Sequence, residues 1–187
     1  HPDFAKTFNN LARLYFIQGR YQESEPLFKR ALVIKNKALG SDHPEVAEGL
    51  HNLAVLYKVQ GRYTDAKILY EKSLLIREKA LGPDHTSVAN SLKNLGLLHK
   101  GQGRYADAET LYRRALGIEE KALGPDHPEV ANSLSKLASL YETQGRYEDA
   151  EALYKRSLFI AEKALGPDHA DVALALNNLA TLYITLA

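Results

Sequence analysis

The triplet Gly-Arg-Tyr stands at 19–21, 61–63, 103–105 and 145–147, so the chain repeats itself every 42 residues. An Asp-His pair keeps the same beat at 42–43, 84–85, 126–127 and 168–169. A fixed period without linkers constrains the fold more than any composition does. A unit this short cannot bury its own apolar face, so successive units must stack on one another and share a continuous core. The spacing predicts units at about 1–40, 41–82, 83–124 and 125–166, and a half unit at 167–187, in a single array. The opening His1-Pro2-Asp3 resembles the middle of the repeated loop, which leads us to expect a fragment of a longer chain.

Each unit reads as two helices. Val130, Leu134, Leu137, Ala138 and Tyr141 fall on one face of a first helix, and Ala108, Leu111, Tyr112, Ala115, Ile118 and Ala122 on one face of a second. Gly61, Gly103 and Gly145 are placed to end the first helix in a left-handed residue, and Gly82, Gly124 and Gly166 to end the second. Asp65, Asp107 and Asp149 near the start of the second helix, and Lys79, Lys121 and Lys163 near its end, suit the helix dipole. Pro26, early in a second helix, predicts a slight kink there.

An Asp-His pair invites thoughts of proton transfer or metal binding. The neighbours argue for structure. Asp126 has Glu129 three residues on, and Asp42 has Glu45, a spacing that predicts a capping box with the aspartate as cap. Pro44 and Pro128 fit the first helical turn, where a missing N–H costs little. Stacked helices lie about 8–10 Å apart, so successive histidines cannot share a zinc ion. The sequence has no cysteine, no phosphate-binding glycine loop, no H-x-x-x-H pair and no nucleophile beside an orienting base. No catalytic residue, no metal and no cofactor is therefore expected. A net charge of +1 gives no pull toward nucleic acid or anionic membrane, and no apolar run is long enough to span one. A cytoplasmic protein is expected.

The stretch LHNLAVLYKVQGRYTDAKILYEKSL at 50–74 resembles the tetratricopeptide repeat. Leu50, Leu53, Ala54, Tyr57, Gly61, Tyr63, Ala66, Tyr70 and Ser73 fill that family's positions, and the other units repeat the pattern. Ser24 in place of alanine and His99 in place of tyrosine are departures. The 42-residue period, with REKALGPDH and NNLATLY, resembles the long-helix subclass of kinesin light chains and their bacterial relatives. The resemblance implies an all-α, right-handed solenoid of stacked antiparallel helix pairs with about nine helices. Small residues at Ala54, Gly96 and Ala138, opposite Ala66, Ala108 and Ala150, would let paired helices approach closely.

In that family the first helices line a concave groove. The pattern then assigns to the groove Lys6, Asn9, Asn10, Arg13 and Phe16, followed by Glu48, His51, Asn52, Val55, Lys58 and Val59. Asn90, Lys93, Asn94, Leu97 and Lys100 come next, then Asn132, Ser135, Lys136, Ser139 and Glu142, and finally Asn177, Asn178 and Thr181. One position holds Asn10, Asn52, Asn94 and Asn178, broken by Lys136. An amide has donors and an acceptor, so such a row could clamp an extended peptide backbone, as the resemblance implies, or bridge neighbouring helices. Lys6, Arg13, Lys58, Lys93, Lys100 and Lys136 against Glu48 and Glu142 predict a locally positive groove. Phe16, Val55, Val59 and Leu97 offer apolar contact, and His51 could make binding sensitive to pH near 6.5.

These readings lead us to expect an interaction module that binds an extended, acidic peptide with an apolar anchor. The alternatives are a scaffold that self-associates through the apolar segment 173–187, giving a homo-oligomer, and the regulatory domain of a larger signalling ATPase or enzyme. Replacing Asn52 and Asn94 by alanine is expected to weaken binding and leave melting nearly unchanged.

Overall fold

The computed structural model describes residues 2–186 and the side chains from Phe4 to Leu186; the His1-Pro2-Asp3 echo of the loop lies outside these residues. The described residues form nine α-helices and no strand: α1 (Pro2–Ile17), α2 (Tyr21–Leu39), α3 (Pro44–Val59), α4 (Tyr63–Leu81), α5 (Thr86–Gly101), α6 (Tyr105–Leu123), α7 (Pro128–Thr143), α8 (Tyr147–Leu165) and α9 (Ala170–Leu186). First helices of 16 or 17 residues alternate with second helices of 19, as the period requires. Helix α2 runs without a break through Pro26. The chain falls into two compact units, 1–91 and 92–187.

In the first unit α1 packs on α2 and α3 on α4, with α2 against α3. Ala12, Ala47, Ala54, Ala66 and Tyr70 are fully enclosed. The Ser24 that departs from the family's alanine donates its hydroxyl proton to the Ala12 carbonyl at 2.8 Å, and Ser73 does the same to Ala47. In the second unit Tyr112, Leu140, Tyr141, Tyr154 and Leu182 form one core cluster, and Val130, Leu134 and Ile160 another. The small-residue contacts follow the expectation: Ala108, Ala138 and Ala150 are wholly buried. At Gly96 the approach is closer still, since a Cβ there would meet the Tyr112 ring at 2.6 Å.

The two glycine stops differ. After α3, the Arg62 N–H reaches back to Tyr57 O at 2.8 Å and Gly61 N–H to Lys58 O at 3.1 Å, the paired bonds of a Schellman motif around a left-handed glycine. After α4, Gly82 takes φ 88° and ψ 155°, outside the left-handed helical region and in territory that is essentially glycine's own. The second helix therefore ends in an extended exit that a side chain would strain.

The loop pair also divides its labour differently from the expectation. Histidine caps the following helix: His43 Nδ1 accepts from Glu45 N at 3.2 Å, and His127, His85 and His169 repeat the bond. The aspartate points elsewhere. Asp126 pairs with Lys163 at 2.5 Å, and Asp42 with Lys79, each 37 residues on. The aspartate cap is thus corrected: an imidazole nitrogen reaches the second N–H from its own backbone, which frees the carboxylate for the end of the next second helix. At Asp42 the hydrogen bond from Lys79 is the chief reason the carboxyl pKa is lowered.

Candidate functional site

Within the first unit, α1 and α3 carry the assigned side chains. Lys6, Asn10 and Arg13 are exposed, and Val59 stands exposed beside half-buried Val55. Phe16 is half-buried and tilted against Tyr21, with centroids 5.6 Å apart, so part of its ring is committed to packing. Asn9 is only 9% exposed, and its Oδ1 accepts from Asn52 Nδ2 at 3.1 Å. Part of the asparagine series therefore ties α1 to α3, while the other Asn52 amide hydrogen and its oxygen carry no bond among the described residues. Asn90, on α5, is exposed.

His51 is half-buried with its ring edge-on to Tyr70 at 5.4 Å, and neither its Nδ1 nor the Tyr70 hydroxyl has a hydrogen-bond partner among the described residues. Burial, helped by the nearby Arg77 and Lys58 charges, pushes its pKa down to about 4. The expected titration near 6.5 is corrected: this imidazole is neutral throughout the neutral range. Lys58 is half-buried and its pKa is lowered by burial. Neither Lys58 nor Arg13 has an acidic partner among the described residues. Glu48, expected to oppose them, is held by Lys35 at 3.3 Å.

In the second unit the expected groove cation Lys93 is not available. It is 6% exposed, with Nζ 2.8 Å from Glu119 and 2.9 Å from Glu129. Glu119, itself 2% exposed, also accepts a hydrogen bond from Ser133. Lys93 belongs to the wall between α5, α6 and α7. Its hydrogen bond is the chief reason the Glu129 pKa is lowered. Lys100 donates to the Ser139 carbonyl at 2.8 Å and to its hydroxyl at 2.7 Å, bringing two assigned residues together. Burial lowers the Lys100 pKa, against the opposing pull of Glu142. Ser135 shares a hydrogen bond with Ser157 at 2.8 Å, and Glu142 accepts from the Tyr154 hydroxyl at 2.9 Å. Leu97, Asn132, Asn177 and Thr181 are exposed, and Asn94, Lys136 and Asn178 half-buried.

Two recurrent features escaped the sequence reading. The arginine of Gly-Arg-Tyr lies over the tyrosine five residues earlier: Arg62 is 3.7 Å from the Tyr57 ring centroid and Arg146 is 3.8 Å from that of Tyr141. Each also binds an acid three residues on and another 37 back, Asp65 and Glu25 or Asp149 and Glu109. The second feature is a buried polar position on the second helices, held by Lys35, Arg77 and Glu119. Its signal was the 42-residue beat itself. An apolar cavity of about 400 Å³ in the first unit lies among Leu32, Val33, Val46, Leu50, Leu75 and Ile76, away from the assigned face. Among the described residues no cluster of three His, Asp or Glu side chains could hold a metal ion. No helix among them is long and apolar enough to cross a membrane.

The tetratricopeptide repeat family model matches residues 3–67, 45–121, 101–163 and 137–187. The nearly identical TPR-like repeats of a kinesin light chain from Podosopora anserina superimpose with a TM-score of 0.82 at 28% identity, over 100% of this chain and 88% of that one. A singly substituted form of the same repeats gives 0.83 at 28% identity and the same coverage. BtubC (BKLC) of P. vanneervenii gives 0.85 at 26% identity, over 97% of this chain and 72% of that one. No curated protein matches the chain in sequence.

Proposed function

Since this chain belongs to the tetratricopeptide repeat family, in its kinesin-light-chain-like subclass, we propose that it is a non-catalytic interaction module whose first-helix faces hold an extended acidic peptide with an apolar anchor. The family's repeats are protein-interaction scaffolds, and the finer reading rests on one observation. Lys58 is a half-buried ammonium with no acidic partner among the described residues, next to the apolar Val55 and Val59. A desolvated cation without a counter-ion costs free energy, and a ligand carboxylate placed there recovers it. Arg13 and Lys6 extend the positive face along α1, and Val55 and Val59 supply the apolar contact. The unbonded amide hydrogen and oxygen of Asn52 are suited to a peptide backbone. Membrane and nucleic acid do not figure in this reading.

Fluorescence anisotropy against an acidic peptide pool and its charge-reversed counterpart tests it. The acidic pool binds tighter, the preference weakens as salt rises, and Lys58→Glu removes it. Equal binding of the two pools, or no binding by either, defeats the proposal.

A second reading has its own support. Leu176, Tyr183, Ile184 and Leu186 are exposed on one side of α9, an apolar face suited to self-association. Light scattering at rising concentration separates the two: a constant monomer mass rules out the homo-oligomer.

A further inference from the structure

Three successive junctions between a second helix and the next first helix are closed by one long polar side chain, and the fourth is not. At α2–α3, Lys35 reaches Glu45 at 3.4 Å and Glu48 at 3.3 Å. At α4–α5, Arg77 donates to Ser91 Oγ at 2.7 Å and to the Ser87 carbonyl at 3.1 Å. At α6–α7, Glu119 meets Lys93 and Ser133, and Lys93 continues to Glu129. Residues 45, 87, 129 and 171 share one place in the repeat, and each of the first three is touched by the plug or by its ion partner. At α8–α9 the plug position is Ala161, the serine position is Ala175, and the acid remains as Asp171. A cavity of about 60 Å³ opens there, with Asn132, Ser135, Ala161, Leu165, Asp171 and Leu174 in its lining.

We infer that this cavity is a subsite for one lysine or arginine side chain of a ligand peptide, which enters where the other junctions place a side chain of their own. The size fits: at 10–15 Å³ for each water the space of about 60 Å³ takes about four to six, enough for the end of an unbranched stem. The charge fits as well. Asp171 meets no lysine or arginine among the described residues; its neighbour His169 places Nδ1 3.7 Å from the carboxylate and accepts the Asp171 N–H at 3.2 Å. A guest ammonium finds at Asp171 what Lys35 finds at Glu45. Its stem lies on Ala161 and Leu165, and Ser135 and Asn132 add polar contact at the mouth. The inference rests on the proposed peptide-holding face, since Asn132 and Ser135 belong to that face and the guest side chain needs a backbone to carry it. It gives an otherwise acidic ligand one basic residue.

The test uses small probes, so that it does not depend on any peptide. Amide chemical shifts of the chain are followed during titration with n-butylammonium, n-propylguanidinium and butan-1-ol. The two cations shift Asn132, Ser135 and Asp171 saturably and bind roughly tenfold tighter than the alcohol, the ratio for one charge-assisted hydrogen bond. Asp171→Asn abolishes that preference with the fold intact, and Ala161→Lys, which supplies an internal plug, blocks both cations. Equal binding of the alcohol, shifts that miss these residues, or cation binding that survives in Asp171→Asn overturns the inference. If the acidic pool binds while the small cations do not, the subsite fails and the groove reading stands. The opposite result removes the acidic-peptide reading alone.

Discussion

Asn52 shows how one side chain can serve packing and recognition together. One of its amide hydrogens holds Asn9, which is buried, so alanine at 52 leaves an enclosed oxygen without a donor. We expect Asn52→Ala to lower stability by about 1 kcal/mol in urea denaturation, in place of the neutral change that the sequence suggests. Two helical glycines give a sharper contrast. Gly96→Ala places a Cβ at 2.6 Å from the Tyr112 ring, whereas at Gly117 nothing lies within 4 Å. Overpacking costs about 1–3 kcal/mol and alanine's helix propensity returns about 1. Gly96→Ala should therefore destabilise, and Gly117→Ala should stabilise by about 0.5–1 kcal/mol. Differential scanning calorimetry of the two variants checks both signs. His51 adds a pH dependence. Its folded pKa of about 4 lies below the unfolded 6.5, so the unfolded chain binds the extra proton and stability falls as pH drops from 6.5 toward 4. Comparing urea midpoints at about pH 7 and about pH 4.5, the drop should be smaller in His51→Gln than in the wild type.

The helices themselves were legible in the sequence, because period, apolar spacing and glycine stops all point to the same boundaries. What caps them was not. Asp-x-x-Glu spacing is a capping-box pattern, yet the histidine one residue later occupies the cap, with Pro44 or Pro128 after it as well as with Thr86 or Ala170. His127→Ala should cost about 0.5–2 kcal/mol as a lost cap, and Asp126→Ala less than about 1 kcal/mol as a lost exposed pair. Chemical denaturation ranks the two, and the capping-box assignment predicts the reverse order. The fate of Lys93 was hidden for another reason. Its burial is decided by Glu119 on the neighbouring helix, an opposite charge that meets it inside the wall. The sign change from Lys35 and Arg77 to Glu119 was the visible clue.

For the whole molecule, the repeat determines far more than the identity of any single unit does. Chemically different plugs occupy one position, and the tetratricopeptide pattern holds around all of them. The 42-residue period made the recurrence of the first-helix positions legible. The charge map was not legible, because tied cations such as Lys93 and unpartnered ones such as Lys58 look alike in sequence. The account's central claim is that side chains 42 residues apart on the first helices α1 and α3 hold one extended acidic ligand. Amide chemical-shift mapping with the acidic pool tests it most directly. The account predicts perturbations along α1 and α3, centred on Arg13, Asn52 and Lys58. Shifts confined to the second helices α2, α4, α6 and α8, or to the outer face of α9, would contradict it.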